Sequence, residues 1–174
     1  MWPVDGVVAE NGGLWYYMHD GKMHRSYLQD QTTRADNRAR LSSLAKEILA
    51  AVPGAALSSD QPYRDLDIAI DYCEDVPNLA AAEIDEIVSL FEAAGATCKV
   101  SSIHVNGWYG KFDKLEGCRQ FIAERYGEDL GATIDRYLFV GDSANDEPMF
   151  KAFVHSVGVA NVSEFLGQMK AKPG

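Results

Sequence analysis

Two carboxylates and an amide crowd one short segment, Gly141-Asp142-Ser143-Ala144-Asn145-Asp146, directly after the apolar run Leu138-Phe139-Val140. Such a run reads as a buried strand, and in open α/β sheets ligands bind beyond the carboxyl ends of strands. Gly141 permits close backbone approach. Asp146, four residues after Asp142, falls where a helix starts. Oxygen donors set out in this way suit a hard divalent cation, and Mg²⁺ fits best because it takes one or two carboxylates together with waters and a substrate phosphate. A plain strand-to-helix turn, capped by Asp or Ser and free of metal, fits the same spacing. Upstream, Gly110-Lys111-Phe112-Asp113-Lys114-Leu115 puts Lys114 at a helix start. The helix dipole there also favours an anion, and an ammonium fixed at that point could hold a transferring phosphoryl group. A solvated surface lysine is the plainer reading of the same residue.

The elements that must position these groups follow from periodicity and turn chemistry. Val4 to Ala9 is a short apolar strand ending at Asn11-Gly12-Gly13. Leu14 to Met18 and Met23 to Leu28 form a hairpin about Asp20-Gly21. Ala35 to Ala51 carries Leu41, Leu44, Ile48 and Leu49 at helical spacing and stops at Pro53-Gly54. Ala55 to Ser58 is a short strand, and Asp65 to Asp71 alternates like a strand with one wet face. Ala80 to Ala94 is a second amphipathic helix, stopped by Gly95. Thr97 to Val105 is a strand, Asn106-Gly107 a turn, and Trp108-Tyr109 the start of another strand. Lys114 to Arg125 is a helix, Tyr137 to Val140 a strand, Asn145 to Phe153 a helix, and Val154 to Ala160 the last strand.

Between residues 30 and 109 this order is α-β-β-α-β-β, helices over an antiparallel sheet. Beyond it the order is α-β-α-β, a parallel sheet with crossover helices. The first strand is expected to pair with that later section. The architecture read here is an α/β core of residues 1–29 and 110–174, incomplete at its amino end, with an inserted α+β module of residues 30–109.

Composition narrows the function classes. The chain has 174 residues, 16 Lys plus Arg against 26 Asp plus Glu, and a net charge of −10. That balance argues against nucleic-acid or anionic-membrane binding, both of which need clustered positive charge. The hydrophobic share of 47% and charged share of 24% are those of a globular domain. Met1 to Gly6 lacks the basic start and apolar stretch of a secretory signal. Three cysteines without a CxxC pair argue against a disulfide framework and for a reducing cytoplasm.

Taken together, Lys114 and Gly141 to Asp146 resemble the third and fourth motifs of the haloacid dehalogenase superfamily of phosphatases. Val8-Ala9-Glu10-Asn11-Gly12-Gly13 is similar to the core-to-cap junction of its Cof-type, sucrose-phosphatase-like branch, and Ser101 to Trp108 looks like that branch's cap-to-core sequence. The inserted module falls where this branch carries its cap. The resemblance implies Mg²⁺-dependent hydrolysis of a sugar phosphate or similar small phosphate ester through an aspartyl-phosphate. Asp142 would bind Mg²⁺, with Asp146 as a further ligand or as its anchor. Lys114 would neutralise phosphate, and Asn145 would bond phosphate oxygens. Asn11 would contact substrate. His104 and Trp108, near the cap-to-core crossing, could touch the leaving group of a substrate; a locally bonded strand histidine and a packing tryptophan fit the same positions.

The chain departs from that pattern at the first motif. The family's Asp-x-Asp nucleophile would fall on Pro3 in Pro3-Val4-Asp5-Gly6, and proline has no oxygen to attack phosphorus. The second motif, a Ser or Thr, has no counterpart either. The chain is therefore expected to begin at a middle core strand and to lack phosphatase activity by itself. The competing reading is a non-catalytic remnant serving as a binding module, or as a homodimer paired through an exposed sheet edge. A nucleotide-binding or response-regulator-like domain fits less well, since neither a P-loop nor GxGxxG is present.

Overall fold

A computed structural model describes residues 3–164, 166–167, 169–171 and 173. Met1 and Trp2, part of the opening segment weighed above as a leader, lie outside the described residues. The chain divides into two units, residues 1–28 with 112–174, and residues 29–111. No helix among the described residues is long and apolar enough to cross a membrane.

In the first unit, β1 (Gly6–Ala9) pairs antiparallel with β2 (Leu14–His19), which pairs antiparallel with β3 (Lys22–Tyr27). This overturns the expectation that the first strand pairs with the later α/β section. The backbone between β1 and β2 is left-handed at Glu10, Asn11 and Gly12, so the chain reverses at once and sets Ala9 opposite Leu14.

The second unit follows without interruption. Helix α1 (Gln31–Ala51) starts four residues before the apolar spacing shows it, because the Asp30 side chain accepts from the Thr33 N–H at 2.9 Å and caps the preceding polar turn. Its buried stripe is Leu41, Leu44, Ala45 and Ile48. Then come β4 (Ala56–Leu57), β5 (Asp67–Asp71), α2 (Ala81–Ala93), β6 (Thr97–Val100) and β7 (His104–Trp108). The strands form an antiparallel sheet in the order β4-β5-β7-β6. Ile48 from α1, Ile87 and Phe91 from α2, and Ile70 and Val105 from the sheet build one core.

Two sequence readings fail within this sheet, each for a tertiary reason. β5 has no wet face, since all five of its residues are buried. Asp67 is accommodated by Arg64 Nη1 at 3.0 Å. Asp71 accepts backbone N–H groups from Cys73, Glu74 and Asp75. Burial by itself raises the Asp71 carboxyl, but these three donors outweigh it and hold the group below the ordinary carboxylate value. Arg64 also bonds Asp60 at 2.9 Å.

Asn106-Gly107 is no turn either. It lies inside β7, and the reversal sits at residues 101–103, where Ser101 N–H and Oγ both donate to the His104 carbonyl. Gly107 is glycine because the Phe91 ring of α2 packs where a Cβ would stand.

The chain returns to the first unit with α3 (Lys114–Tyr126), α4 (Leu130–Thr133), β8 (Leu138–Gly141), α5 (Glu147–Ala152) and β9 (His155–Gly158). β8 and β9 pair in parallel across α5, a β-α-β crossover. Helix α5 begins later than its apolar pattern suggests, since a 3₁₀ turn occupies Ala144–Asp146. Ile122, Leu130, Met149 and Phe153 pack between α3, α4 and α5. The hairpin is tied to α3 through Glu124, which accepts from Trp15 Nε1 at 3.0 Å, Tyr17 Oη at 2.9 Å and Ser26 Oγ at 2.6 Å.

Replacing Gly107 by alanine should cost about 1–3 kcal/mol through overpacking against Phe91. Urea unfolding should show that cost shrinking in a Phe91→Leu background, which frees the space; an equal cost in both backgrounds would contradict the packing account.

Candidate functional site

Lys114 opens α3, whose first turn is capped by Asp113 accepting from the Glu116 N–H at 2.9 Å. From there its ammonium reaches the carboxyl end of β8. Lys114 Nζ donates to Asp146 Oδ1 at 2.6 Å and to Asn145 Oδ1 at 3.4 Å. Asp146 is buried, with 3% of its surface exposed. Its second oxygen accepts the Asp142 N–H at 3.0 Å. Both Asp146 oxygens are thus engaged, one by the lysine and one by the backbone that carries Asp142.

Asp142 is half-buried and held more loosely. Asn161 Nδ2 donates to its Oδ2 at 3.1 Å. Ser143 Oγ lies 3.3 Å from Asp142 Oδ1 and 2.7 Å from Asn145 Oδ1, so its single proton serves the nearer acceptor best. A carboxylate with such contacts keeps lone pairs for a cation.

The turn after β1 borders the same cavity, of about 470 Å³, which Glu10, Asn11, Lys114, Asp142 and Asp146 line with apolar residues. Gly12 and Gly117 seat this turn on α3. At Gly12 a Cβ would strike the Asp113 carbonyl, and at Gly117 it would strike the Gly12 backbone. Two glycines therefore bring the Asn11 turn and the Lys114 turn against each other.

Of the candidate residues, the fold brings together Asn11, Lys114, Asp142, Asn145 and Asp146. The residues lining the cavity all belong to the unit of 1–28 and 112–174, whereas His104 and Trp108 belong to the other, buried in β7 at 8% and 1% exposure. Glu10, Ser143 and Asn161, which the sequence does not mark as site residues, also reach the site. Glu10 and Ser143 stand within motifs already singled out. Asn161 lies past β9, and nothing in its local sequence signals a contact with Asp142.

Chemically the cluster offers a cation donor, hard oxygen ligands and amide donors at one cavity. Its donor set fits Mg²⁺, with Asp142 as the carboxylate still open to it. Cys118 also lines the cavity, but burial raises its thiol above the ordinary value, which disfavours the thiolate that would select a softer metal.

No protein-family model and no curated protein sequence matches the chain. Solved structures do. A Thermoplasma acidophilum protein is 19% identical with a TM-score of 0.63, over 91% of this chain and 60% of its own. The sucrose-phosphatase from Synechocystis, in complex with sucrose and phosphate, is 18% identical with a TM-score of 0.63, over 94% and 63%. The C-terminal domain of Candida albicans trehalose-6-phosphate phosphatase is 15% identical with a TM-score of 0.60, over 84% and 51%. The chain thus spans between half and two thirds of the length of each. The shared architecture is the haloacid-dehalogenase-like fold, with part of the parallel core and an α+β insertion.

Replacing Asp146 by asparagine removes the anion facing Lys114 and should destabilise the fold by about 1.5–3 kcal/mol, the worth of hydrogen bonds to a charged group. Asp146→Ala, which also strips the acceptor from the Asp142 N–H, should cost more. Equal urea midpoints for wild type and Asp146→Ala would show that the contact contributes nothing.

Proposed function

We propose that the chain carries the phosphate- and Mg²⁺-binding part of a haloacid-dehalogenase-type phosphatase acting on a sugar phosphate or a similar small phosphate ester. The observation that supports it best is the Lys114–Asp146 contact at 2.6 Å beside Asp142 at the end of β8. Phosphoryl transfer is mostly positioning and charge neutralisation, and these groups are suited to both. Lys114 neutralises the phosphate, and Asp146 fixes its direction. Asn145 bonds a phosphate oxygen, and Asn11 closes the cavity from the opposite turn. Asp142 holds the metal, with Asp146 as its anchor; when bound, Mg²⁺ supplies further neutralisation of phosphate charge. His104 and Trp108, buried in β7 of the other unit, are left out of this proposal. The aspartyl-phosphate route needs a nucleophilic carboxylate, and the segment that imitates the Asp-x-Asp spacing would put Pro3 at that position.

Calorimetry should show inorganic phosphate binding in the presence of Mg²⁺, weakened about ten- to a hundredfold by Lys114→Ala, as expected for loss of a charge-assisted hydrogen bond. Asp142→Ala should remove the Mg²⁺ dependence. The chain should not turn over p-nitrophenyl phosphate; Mg²⁺-dependent turnover abolished by Asp142→Ala would overturn the assignment of a missing nucleophile. Absence of phosphate binding with and without Mg²⁺ would overturn the site.

A second reading, a binding or dimerisation module, is favoured by a separate observation. Parallel sheets are ordinarily covered on both faces, yet Leu138, Val140 and Val157 of β8 and β9 are 63%, 54% and 46% exposed. On this reading, light scattering after size exclusion gives a dimer mass that Val140→Lys converts to a monomer, and phosphate binding is absent.

A further inference from the structure

A second polar cluster lies in the unit of residues 29–111, apart from the residues proposed above for phosphate and Mg²⁺. Asp71 ends β5 and His104 begins β7, and the two are direct cross-strand partners. Glu74 follows in the loop after β5, where its N–H is held by Asp71 Oδ1 at 2.8 Å. One ligand atom from each of Asp71, Glu74 and His104 lies within 4.8 Å of the other two.

A cluster of carboxylates alone would say little, but the imidazole adds an independent observation. His104 is 8% exposed, and its Nε2 is buried with no hydrogen-bond partner. That nitrogen sits 2.9 Å from Glu74 Oε2 without the alignment of a hydrogen bond. A buried ring nitrogen left in this way is costly unless something accepts its lone pair or its proton. The surrounding backbone is braced. Tyr72 Oη donates to the Ser101 carbonyl at 2.6 Å, and the Tyr72 N–H donates to the Ile103 carbonyl at 3.2 Å, tying the Asp71 loop to the turn before His104.

We propose that Asp71, Glu74 and His104 bind a divalent transition metal of the zinc class. Imidazole nitrogen with carboxylate oxygens is a donor set for Zn²⁺ and its neighbours, whereas Mg²⁺ prefers oxygen alone. Bonds of about 2 Å in tetrahedral array set ligand atoms about 3.3 Å apart. Glu74, whose side chain is 43% exposed, is free to make the adjustment while Asp71 and His104 stay fixed. Three protein ligands leave a fourth position for water or a ligand donor. Cys73, which lies between Asp71 and Glu74 in the chain, is not part of the set: its Sγ points to the Ser102 carbonyl at 3.5 Å.

The test is a Co²⁺ titration followed by visible absorption, with Zn²⁺ as competitor. It is run in a His19→Ala/His24→Ala background, because those two imidazoles, with ring centres 5.9 Å apart, form an adventitious pair. The expected result is a d–d band that Zn²⁺ abolishes and Mg²⁺ does not, together with a Zn²⁺-dependent rise in Tm. Glu74→Ala and His104→Gln should each weaken Co²⁺ binding tenfold or more, at least the ~10–100-fold that loss of an outer partner costs a metal site. Glu74 is exposed, so Glu74→Ala should fold with unchanged metal-free Tm and decides the matter if His104→Gln does not fold. Absence of the band, its removal by Mg²⁺, or affinity unchanged in Glu74→Ala would overturn the proposal.

Discussion

The buried carboxylate of Asp146 constrains the site more than any other group. Taking a carboxylate out of water costs several kcal/mol unless its charge and lone pairs are met. Here one oxygen is met by the Lys114 ammonium and the other by the Asp142 amide. Those partners come from different elements, so satisfying one buried charge ties the amino end of α3 to the carboxyl end of β8. The direction of Lys114 and the backbone setting of Asp142 follow from it. Removing the side-chain volume at Gly12 and Gly117 does the same for the turn after β1, by letting two backbones touch.

The inserted unit solves a similar problem differently. β5 carries acidic residues at both ends and buries them both. Asp67 is neutralised by Arg64, while Asp71 has no cationic side chain within bonding distance among its named donors and relies on three backbone N–H groups. Backbone donors satisfy a carboxylate without cancelling its charge. Asp71 therefore remains an anion beside a buried imidazole, and that combination distinguishes this corner of the sheet from an ordinary loop cap.

The likeness to a sucrose-phosphatase and a trehalose-6-phosphate phosphatase at 15–18% identity is a likeness of fold. A fold survives substitution at most positions, because it depends on burial pattern and turn chemistry more than on particular side chains. Chemistry does not survive in that way. It depends on a few groups at fixed positions, and a likeness of fold does not carry those groups over.

What the sequence determined by itself was local: helical spacing from Leu41 to Ile48, strand character from Leu138 to Val140, hairpin and stop signals at Asp20-Gly21 and Gly95, and a lysine and two aspartates at element ends. These follow from periodicity and backbone preference, which act over a few residues. Only the tertiary structure decided that β1 pairs with β2, that Asp67 and Asp71 are buried, and that Asn106-Gly107 runs through a strand because Phe91 needs the room. It alone sets Asn161 against Asp142 and Glu74 against His104. Each of those outcomes depends on a partner distant in the chain, and a partner brought near by packing leaves no trace in the neighbouring letters.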